Sequence, residues 1–242
     1  IFADRVAAAE QLAEALAEYR GRQPLILAIP RGAVPMAAVI AARLEGEMDV
    51  VLVRKLRAPG NPEFAIGSVD ESGWVYLADY AAAAGADEAY IKDETAAQLE
   101  TIRRRRSQYT PVRPPHDPAG RIVIVIDDGL ATGSTMIAAL HALRAKKPAE
   151  LICAVPVAPP DTLEKIRPYA DEVVCLHAPA FFRAVGQFYA HFPQVDDTEV
   201  EAILKQAPAE RQQAWRRHHV SLAHELEAVI VAAFSISAFR SG

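Results

Sequence analysis

The chain has little cysteine, no strong net charge and no long uninterrupted apolar run. Its two cysteines, Cys153 and Cys175, lie inside apolar runs, which favours buried free thiols over a disulfide framework or a metal site. A formal net charge of −5 argues against a general nucleic-acid binder, which usually presents a basic surface. The apolar stretch at residues 228–239 is broken by serines and is shorter than the roughly 20 residues that span a bilayer. We therefore expect a soluble, cytoplasmic protein without a membrane partner.

Two glycine motifs of nucleotide-binding proteins are also missing. Gly129 and Gly133 do not have the G-x-G-x-x-G spacing of a dinucleotide fingerprint. The residue directly after Gly133 is a serine, whereas a P-loop requires a lysine there. The glycines of this segment therefore indicate neither of these two classes.

Short apolar runs alternate along the chain with segments of helical periodicity. Five runs predict buried strands, at residues 25–29, 50–53, 122–126, 151–157 and 172–176. Helices are predicted at residues 6–16, 34–44, 87–108, 136–144 and 161–166. A further short strand is predicted at residues 74–77, whereas proline, glycine and charge make residues 54–73 too irregular for an element. This order predicts an α/β fold with an open, mostly parallel five-stranded sheet flanked by helices.

The most informative segment is residues 122–135. It places Asp127 and Asp128 after a run of five β-branched residues, at the end of the strand where open α/β sheets bind ligands. Small residues and hydroxyls follow at the start of a helix, and backbone N–H groups there suit a phosphate monoester. A ribose 5-phosphate matches both halves of the segment. The alternative is an acid pair that only caps an ordinary helix.

Two other segments offer groups that bind anions. Residues 30–33 (Pro30, Arg31, Gly32 and Ala33) form a tight turn with a permissive glycine between a strand and a helix, so that backbone N–H groups approach an anion closely. Arg54, Lys55 and Arg57 follow the second strand, where such cations would suit a polyphosphate. The alternatives are an ordinary strand-to-helix turn and a solvated charged turn.

Residues 122–135 resemble the signature of the type I phosphoribosyltransferases, which is four apolar residues, an acid pair and a loop ending in T-G-x-T. The resemblance extends over residues 2–205 and is greatest to a bacterial subgroup of the family. It implies that Asp127 and Asp128 bind the ribose hydroxyls of phosphoribosyl pyrophosphate (PRPP). The residues that it assigns to the 5-phosphate are Ala131, Thr132, Gly133, Ser134 and Thr135.

The same resemblance assigns the remaining parts of a PRPP site. Residues 30–33 correspond to the pyrophosphate loop, which in this family often contains a cis peptide. Arg54 and Lys55 would join the acid pair as the catalytic set and open a mobile lid over residues 58–70. Mg²⁺ is the implied cofactor, held mainly through PRPP and without a direct protein ligand set.

The implied reaction is transfer of the 5-phosphoribosyl group from PRPP to a nitrogen acceptor, with release of pyrophosphate, as in nucleotide salvage. The acceptor stays open among nucleobases, related heterocycles and amines, although residues 151–157 lack the lysine usual in enzymes for 6-oxopurines. The alternative is a PRPP-sensing regulator of the same fold without turnover, a class that acts on nucleic acid. The turn at residues 30–33, the lid-like segment and the net charge favour the enzyme.

We expect residues 1–205 to form the phosphoribosyltransferase domain. A small hood is expected at residues 176–205, with part of residues 74–110 as a further candidate for it. Residues 206–242 lie outside the resemblance and form a C-terminal extension of unassigned role. Family analogy favours a homodimer.

Overall fold

The computed structural model describes residues 1–110 and 115–206, and these residues build two β-sheets covered by helices. The strands are β1 (Leu25–Ala28), β2 (Glu47–Val50), β3 (Val53–Ala58), β4 (Asn61–Asp70), β5 (Val75–Leu77), β6 (Ile122–Ile126), β7 (Glu150–Val157) and β8 (Glu172–His177). The α-helices are α1 (Arg5–Ala15), α2 (Ala33–Leu44), α3 (Glu88–Tyr109), α4 (Ser134–Arg144) and α5 (Pro160–Ile166). Three short 3₁₀ helices (Ala17–Tyr19, Arg167–Tyr169 and Val185–Phe188) and a helical segment at residues 197–206 complete the described chain.

The larger sheet is the predicted five-stranded parallel sheet, with strand order β2-β1-β6-β7-β8. The strand β1 lies second in that order and pairs with both β2 and β6, so that Leu25 lies opposite Glu47 on one side and Val123 on the other. The sequence prediction of an α/β fold with this sheet is therefore confirmed.

Alternate residues of the central strands enter two separate hydrophobic layers. Ile124 and Ile126 of β6 pack in the core that contains α1 and α2. Val123 and Val125 of the same strand pack in the core that contains α4 and α5. All four are fully buried, and each such side chain contributes about 1.5–3 kcal/mol. Burial on both faces explains why the strand is an uninterrupted apolar run.

The predicted bounds of the second strand were wrong, and so was the prediction that residues 54–73 form no regular element. The strand β2 begins and ends three residues before the predicted run, at Glu47–Val50, and lies at the edge of the parallel sheet. An edge strand has one strand neighbour, so it tolerates Glu47, whose carboxylate accepts from Arg121 Nη1 at 2.6 Å. The apolar run at residues 50–53 instead joins β2 to β3.

The segment predicted to be irregular, residues 54–73, contains a β-hairpin. The strands β3 and β4 pair antiparallel from Val53–Asp70 to Ala58–Asn61, and β5 adds a third strand. Gly60 turns the hairpin with φ at +71°. Charged residues hid the strands, because their partners lie on α3: Arg57 Nε, for example, donates to Glu94 Oε1 at 2.8 Å. Residues 58–70, expected as a lid, are therefore mostly strand β4.

Residues 178–206, which we call the hood segment, cross the carboxyl edge of the parallel sheet. The amino-terminal residue Phe2 joins it: its N–H donates to the Phe188 carbonyl, and its carbonyl accepts from Ala190 N–H, both at 2.8 Å. No helix in the described parts of the chain is long and apolar enough to cross a membrane. The extension at residues 206–242 lies outside the described residues except for Gln206.

Candidate active site

The acid pair lies directly after β6, at the carboxyl edge of the parallel sheet. Asp127 and Asp128 are both partly exposed. The Asp128 N–H donates to Asp127 Oδ1 at 2.9 Å, which orients the first carboxylate. Burial, with the neighbouring charge of Asp128 added to it, raises the pKa of Asp127 well above its ordinary value. An acid pair held in this way costs stability unless a ligand or cation compensates it.

A cation that the sequence analysis missed compensates the second carboxylate. Arg5 Nε and Nη2 lie 2.9 and 2.8 Å from Asp128 Oδ2, and the Arg5 side chain is only 10% exposed. Burial raises the pKa of Asp128, and the charge and hydrogen bond of Arg5 oppose that rise. One signal was present in the sequence: Arg5 is the first residue of α1, where the helix dipole disfavours a cation.

The segment predicted to bind phosphate, Ala131 to Thr135, follows β6 and includes the first two residues of α4, Ser134 and Thr135. Gly133 precedes α4 with φ at +77°, and a Cβ there would lie 2.8 Å from Thr162 Cγ2. Glycine is therefore required both by the left-handed backbone and by the close approach of α5. The Thr162 hydroxyl donates to the Ala131 carbonyl at 2.6 Å and fixes the other end of the loop.

The antiparallel sheet also contacts this loop. The buried Ser68 hydroxyl of β4 donates to the Ser134 carbonyl at 2.6 Å. Thr132 Oγ1 and Ser134 Oγ lie 3.2 Å apart. A small pocket of about 180 Å³ opens beside the loop, and it is lined by Tyr76, Ala78, Tyr80, Ala131, Thr132, Ser134, Thr162 and Lys165.

The turn predicted to bind pyrophosphate lies against the acid pair. The peptide bond between Pro30 and Arg31 is cis. Gly32, directly before α2, has right-handed backbone angles, so a left-handed conformation is not the reason for glycine here. A Cβ on Gly32 would overlap Asp128 Oδ2, and Ala33, the next residue, is fully buried. The close approach of the two segments is what excludes a side chain at Gly32.

The two predicted cations lie within β3 and not in a loop after the second strand, which corrects the sequence prediction. Lys55 is exposed. Its positive charge partly opposes the rise in the pKa of both acid-pair carboxylates. Arg54 Nε instead donates to Gln98 Oε1 of α3 at 3.0 Å. Burial, and then the charges of neighbouring arginines, lower the pKa of Arg54. Because the two cations are neighbours in a strand, their side chains take different surroundings.

The hood segment brings a carboxylate to the pyrophosphate turn. Asp197 Oδ2 lies 3.7 Å from Arg31 Nη1, and Asp197 Oδ1 lies 3.8 Å from Arg105 Nε of α3. The Tyr109 hydroxyl donates to the same Oδ1 at 2.7 Å. These contacts were not predicted from the sequence, because residues 31, 105 and 197 are far apart in the chain and only the fold brings them together.

The sequence profile described as "Phosphoribosyl transferase domain" matches residues 3–192, which include Arg5, the pyrophosphate turn, the β3 cations, the acid pair and the phosphate loop. The chain belongs to the phosphoribosyl transferase family. The predicted resemblance to that family is confirmed.

Two groups of relatives support the family assignment. A Mycobacterium tuberculosis protein from strains CDC 1551 and H37Rv is 40% identical to this chain over 208 residues. Its name describes it provisionally as a phosphoribosyl transferase. That alignment covers 86% of this chain and 47% of the relative, so the chain spans about half the length of this curated relative. The crystal structure of TT1426 from Thermus thermophilus is 47% identical with a TM-score of 0.71, and the match covers 85% of this chain and 98% of that one.

Proposed function

We propose that this phosphoribosyl transferase family member transfers the 5-phosphoribosyl group of PRPP to a nitrogen acceptor and releases pyrophosphate. One observation carries the proposal: three chain segments that suit the three parts of PRPP meet at the carboxyl edge of the sheet. Gly32 of the pyrophosphate turn lies against Asp128, and the phosphate loop follows the acid pair directly.

The acid pair supplies the part of the site that recognises ribose. Asp127 and Asp128 would accept hydrogen bonds from the two ribose hydroxyls. When the bond between C1 and the pyrophosphate oxygen breaks, its electron pair leaves with pyrophosphate and positive charge grows on the ribose. Carboxylates already fixed at that position stabilise the charge without reorganisation.

The phosphate loop supplies the second part. The helix α4 presents free backbone N–H groups at its first turn, and Thr132, Ser134 and Thr135 add hydroxyls beside them. Unpaired N–H groups and the positive end of the helix dipole favour a dianionic phosphate. The 5-phosphate would fix the ribose so that C1 points toward the acceptor, which is a positioning effect.

The pyrophosphate turn and the β3 cations supply the third part. Backbone N–H groups of residues 31–33 and the side chains of Arg31, Arg54 and Lys55 would stabilise the negative charge of the departing pyrophosphate. Asp127 and Asp128 are hard oxygen donors that suit Mg²⁺, and no group of three or more metal-ligating side chains occurs among the described residues. Mg²⁺ held mainly by PRPP oxygens and water would neutralise pyrophosphate charge.

The acceptor would complete the reaction by attack of its nitrogen on C1, with loss of a proton to solvent or to a neighbouring base. The strand β7 has no lysine in Glu150–Val157, so it lacks the side chain usual in enzymes for 6-oxopurines. The hood segment offers aromatic surface, since Phe181 is 90% exposed and Phe182 is partly exposed. An aromatic face of this kind would suit a planar heterocycle.

The test is pyrophosphate release from PRPP and Mg²⁺ against a panel of nucleobases and simple amines. The control is the double variant Asp127→Asn/Asp128→Asn, which keeps side-chain volume and removes both charges. Release that needs one acceptor and the intact acid pair would support the proposal and identify the acceptor class. Calorimetric PRPP binding without release would instead support a PRPP-sensing regulator, and such a protein should also be retained on heparin at low salt. If PRPP neither binds nor reacts, the proposal is wrong.

A further inference from the structure

Arg5 makes four contacts with two different parts of the site. Its Nε and Nη2 donate to Asp128 Oδ2, and its Nη1 donates to the Pro193 carbonyl at 2.6 Å. Its guanidinium carbon also lies 3.8 Å from the centre of the Phe192 ring, in a cation–π contact. One side chain from α1 therefore links the acid pair to the hood segment.

The pyrophosphate turn adjoins the same side chain. A Cβ placed on Gly32 would lie 3.1 Å from Arg5 Nη2 in addition to its overlap with Asp128 Oδ2. The turn therefore packs directly on the ion pair between Arg5 and Asp128. A change in that ion pair would displace the turn, because the two surfaces have no free space between them.

Asp128 is held at its backbone as well as at its side chain. The Tyr189 hydroxyl of the hood segment donates to the Asp128 carbonyl at 2.6 Å. Tyr189 is in turn fixed by Phe2, through a parallel β-bridge and a ring contact with centroids 5.5 Å apart. Residues 2–5 and the hood segment thus form one unit around Asp128.

The geometry at the carboxylate leaves one oxygen for another donor. Both Arg5 nitrogens approach Oδ2 rather than Oδ1. A ribose hydroxyl could therefore donate to Oδ1 while Arg5 remains in place. The positive charge of Arg5 also offsets the repulsion between two adjacent carboxylates, which would otherwise favour protonation of one of them.

We infer that Arg5 is a positioning residue for the proposed transfer: it holds the Asp128 carboxylate aimed at the ribose, and it ties that orientation to the hood segment at residues 189–193. The inference rests on the proposed function. It predicts that PRPP binding depends on a side chain that does not itself touch PRPP.

The experiment compares Arg5→Met, which keeps much of the side-chain length, with wild type. Turnover and the KM for PRPP are measured from pH 5 to pH 9, with thermal unfolding in parallel. We expect kcat/KM for PRPP to fall about 100-fold at pH 7, because a misplaced catalytic carboxylate costs roughly that factor. The acidic limb of the profile should move to higher pH, because Asp128 loses the cation that opposes its protonation.

The matched control is Arg106→Met. Arg106 makes a two-nitrogen ion pair with Glu71, at 2.9 and 2.6 Å, and its side chain is 23% exposed. This variant should lose stability in the same way as Arg5→Met but keep the wild-type pH profile. If Arg5→Met and Arg106→Met have the same profile as wild type, Arg5 is only structural and the inference is wrong.

Two further variants keep the inference testable if Arg5→Met does not fold. Arg5→Lys retains the charge, so it should keep the acidic limb near its wild-type position while kcat/KM falls. Tyr189→Phe removes only the hydroxyl that holds the Asp128 carbonyl, and it should raise the KM for PRPP without moving the limb. A wild-type kcat/KM in Arg5→Lys together with a wild-type KM for PRPP in Tyr189→Phe would overturn the inference. An inactive wild-type protein that also fails to bind PRPP would instead overturn the proposed function, and the inference with it.

Discussion

At the residue scale, the charges of the site are compensated unequally. Asp128 has Arg5 within 2.9 Å, whereas the hydrogen bond recorded for the Asp127 carboxylate comes from the Asp128 backbone. The pKa of Asp127 is accordingly raised by burial and by the charge of Asp128. The first acid of the pair therefore destabilises the ligand-free fold, and a ligand that donates hydrogen bonds to it would recover that cost.

This imbalance predicts the pH dependence of an Asp127→Asn variant. A folded-state pKa above the unfolded value means that the folded protein binds the extra proton, so wild-type stability falls as pH rises from about 4. Asparagine does not ionise, and the variant lacks that loss. We expect Asp127→Asn to be more stable than wild type at pH 7 and about equally stable below pH 4. Urea unfolding at both pH values measures this.

The matched control is Asp171→Asn, whose stability should depend on pH in the opposite direction. Asp171 accepts two hydrogen bonds from Arg144, which lower the pKa of its carboxylate. The ionised Asp171 carboxylate stabilises the fold above its ordinary pKa, and this stabilisation is lost as the pH falls. Asp171→Asn should therefore lower the free energy of unfolding at pH 7 and have less effect near pH 3. If Asp127→Asn follows wild type at both pH values, the raised pKa of Asp127 does not govern the stability of the site.

A second residue-scale prediction concerns Gly32. Alanine there fits the right-handed backbone, but its Cβ would overlap Asp128 Oδ2. We expect Gly32→Ala to weaken PRPP binding and also to lower the thermal midpoint, since the new Cβ would push the Asp128 carboxylate out of its ion pair with Arg5. Calorimetry with PRPP measures the affinity. Gly120→Ala is the comparison: its Cβ meets nothing within 4 Å and lies just before β6, at the opposite end of that strand from the acid pair, and its φ of +67° strains alanine. This variant should lose stability and keep the PRPP affinity of wild type. Equal PRPP affinity in Gly32→Ala and wild type would refute the close-approach argument.

At the scale of elements, the antiparallel sheet supports the phosphate loop. Ser68 of β4 bonds the first residue of α4, and the Trp74 ring stacks on His141 of the same helix with centroids 3.6 Å apart. The strand β3 is in turn fixed on α3 through Arg54 and Arg57. The hairpin therefore does more than cover the site, because it holds the start of the helix that would receive the 5-phosphate.

This arrangement predicts the effect of Ser68→Ala. The variant loses a buried hydrogen bond and leaves the Ser134 carbonyl without that donor, which costs about 1–3 kcal/mol. We expect the KM for PRPP to rise several-fold, because the loop loosens, while kcat changes less. Thr162→Val removes a similar bond, at 2.6 Å, from the other end of the loop and should act in the same direction. A stability loss without any change in KM would show that the sheet supports the fold alone.

At the scale of the whole molecule, the described residues form a continuous body. The larger hydrophobic cluster runs from Phe2 to Leu204 and includes residues of both sheets and the hood segment. Eighty-five per cent of this chain matches 98% of the Thermus protein. The matched part of the chain is therefore long enough to form this fold. Within it, helices cover both faces of the parallel sheet.

This correspondence predicts that a variant ending at Gln206 folds as the full chain does. We expect its denaturant midpoint to agree with that of the full chain within experimental error, and its pyrophosphate release to persist. Urea unfolding followed by the fluorescence of Trp74, with Trp215→Phe introduced in the full chain to match the probes, measures the comparison. A lower midpoint in the shortened variant would assign residues 207–242 a part in stability.

The sequence by itself determined the parallel sheet, apart from the bounds of its edge strand β2, and the chain positions of the candidate residues that follow β6. The strand β6 spans the same residues as predicted, because a strand buried on both faces must be apolar throughout. Asp127, Asp128 and the loop from Ala131 to Thr135 were found because their positions follow from one continuous strand–turn–helix segment. Local order in the chain fixes local geometry in such segments.

Only the tertiary structure decided which distant groups act on that segment. Arg5 reaches Asp128 across 123 residues, and Asp197 reaches Arg31 through the hood segment. The hairpin β3–β4 stayed hidden for the same reason, since its charged residues have their partners on α3. Gly32 was predicted for its backbone freedom, yet the overlap that a side chain would make with Asp128 is what requires it. An ion pair between distant residues, or a close contact at one glycine, leaves no periodic pattern in a sequence. Neither depends on the neighbouring residues along the chain.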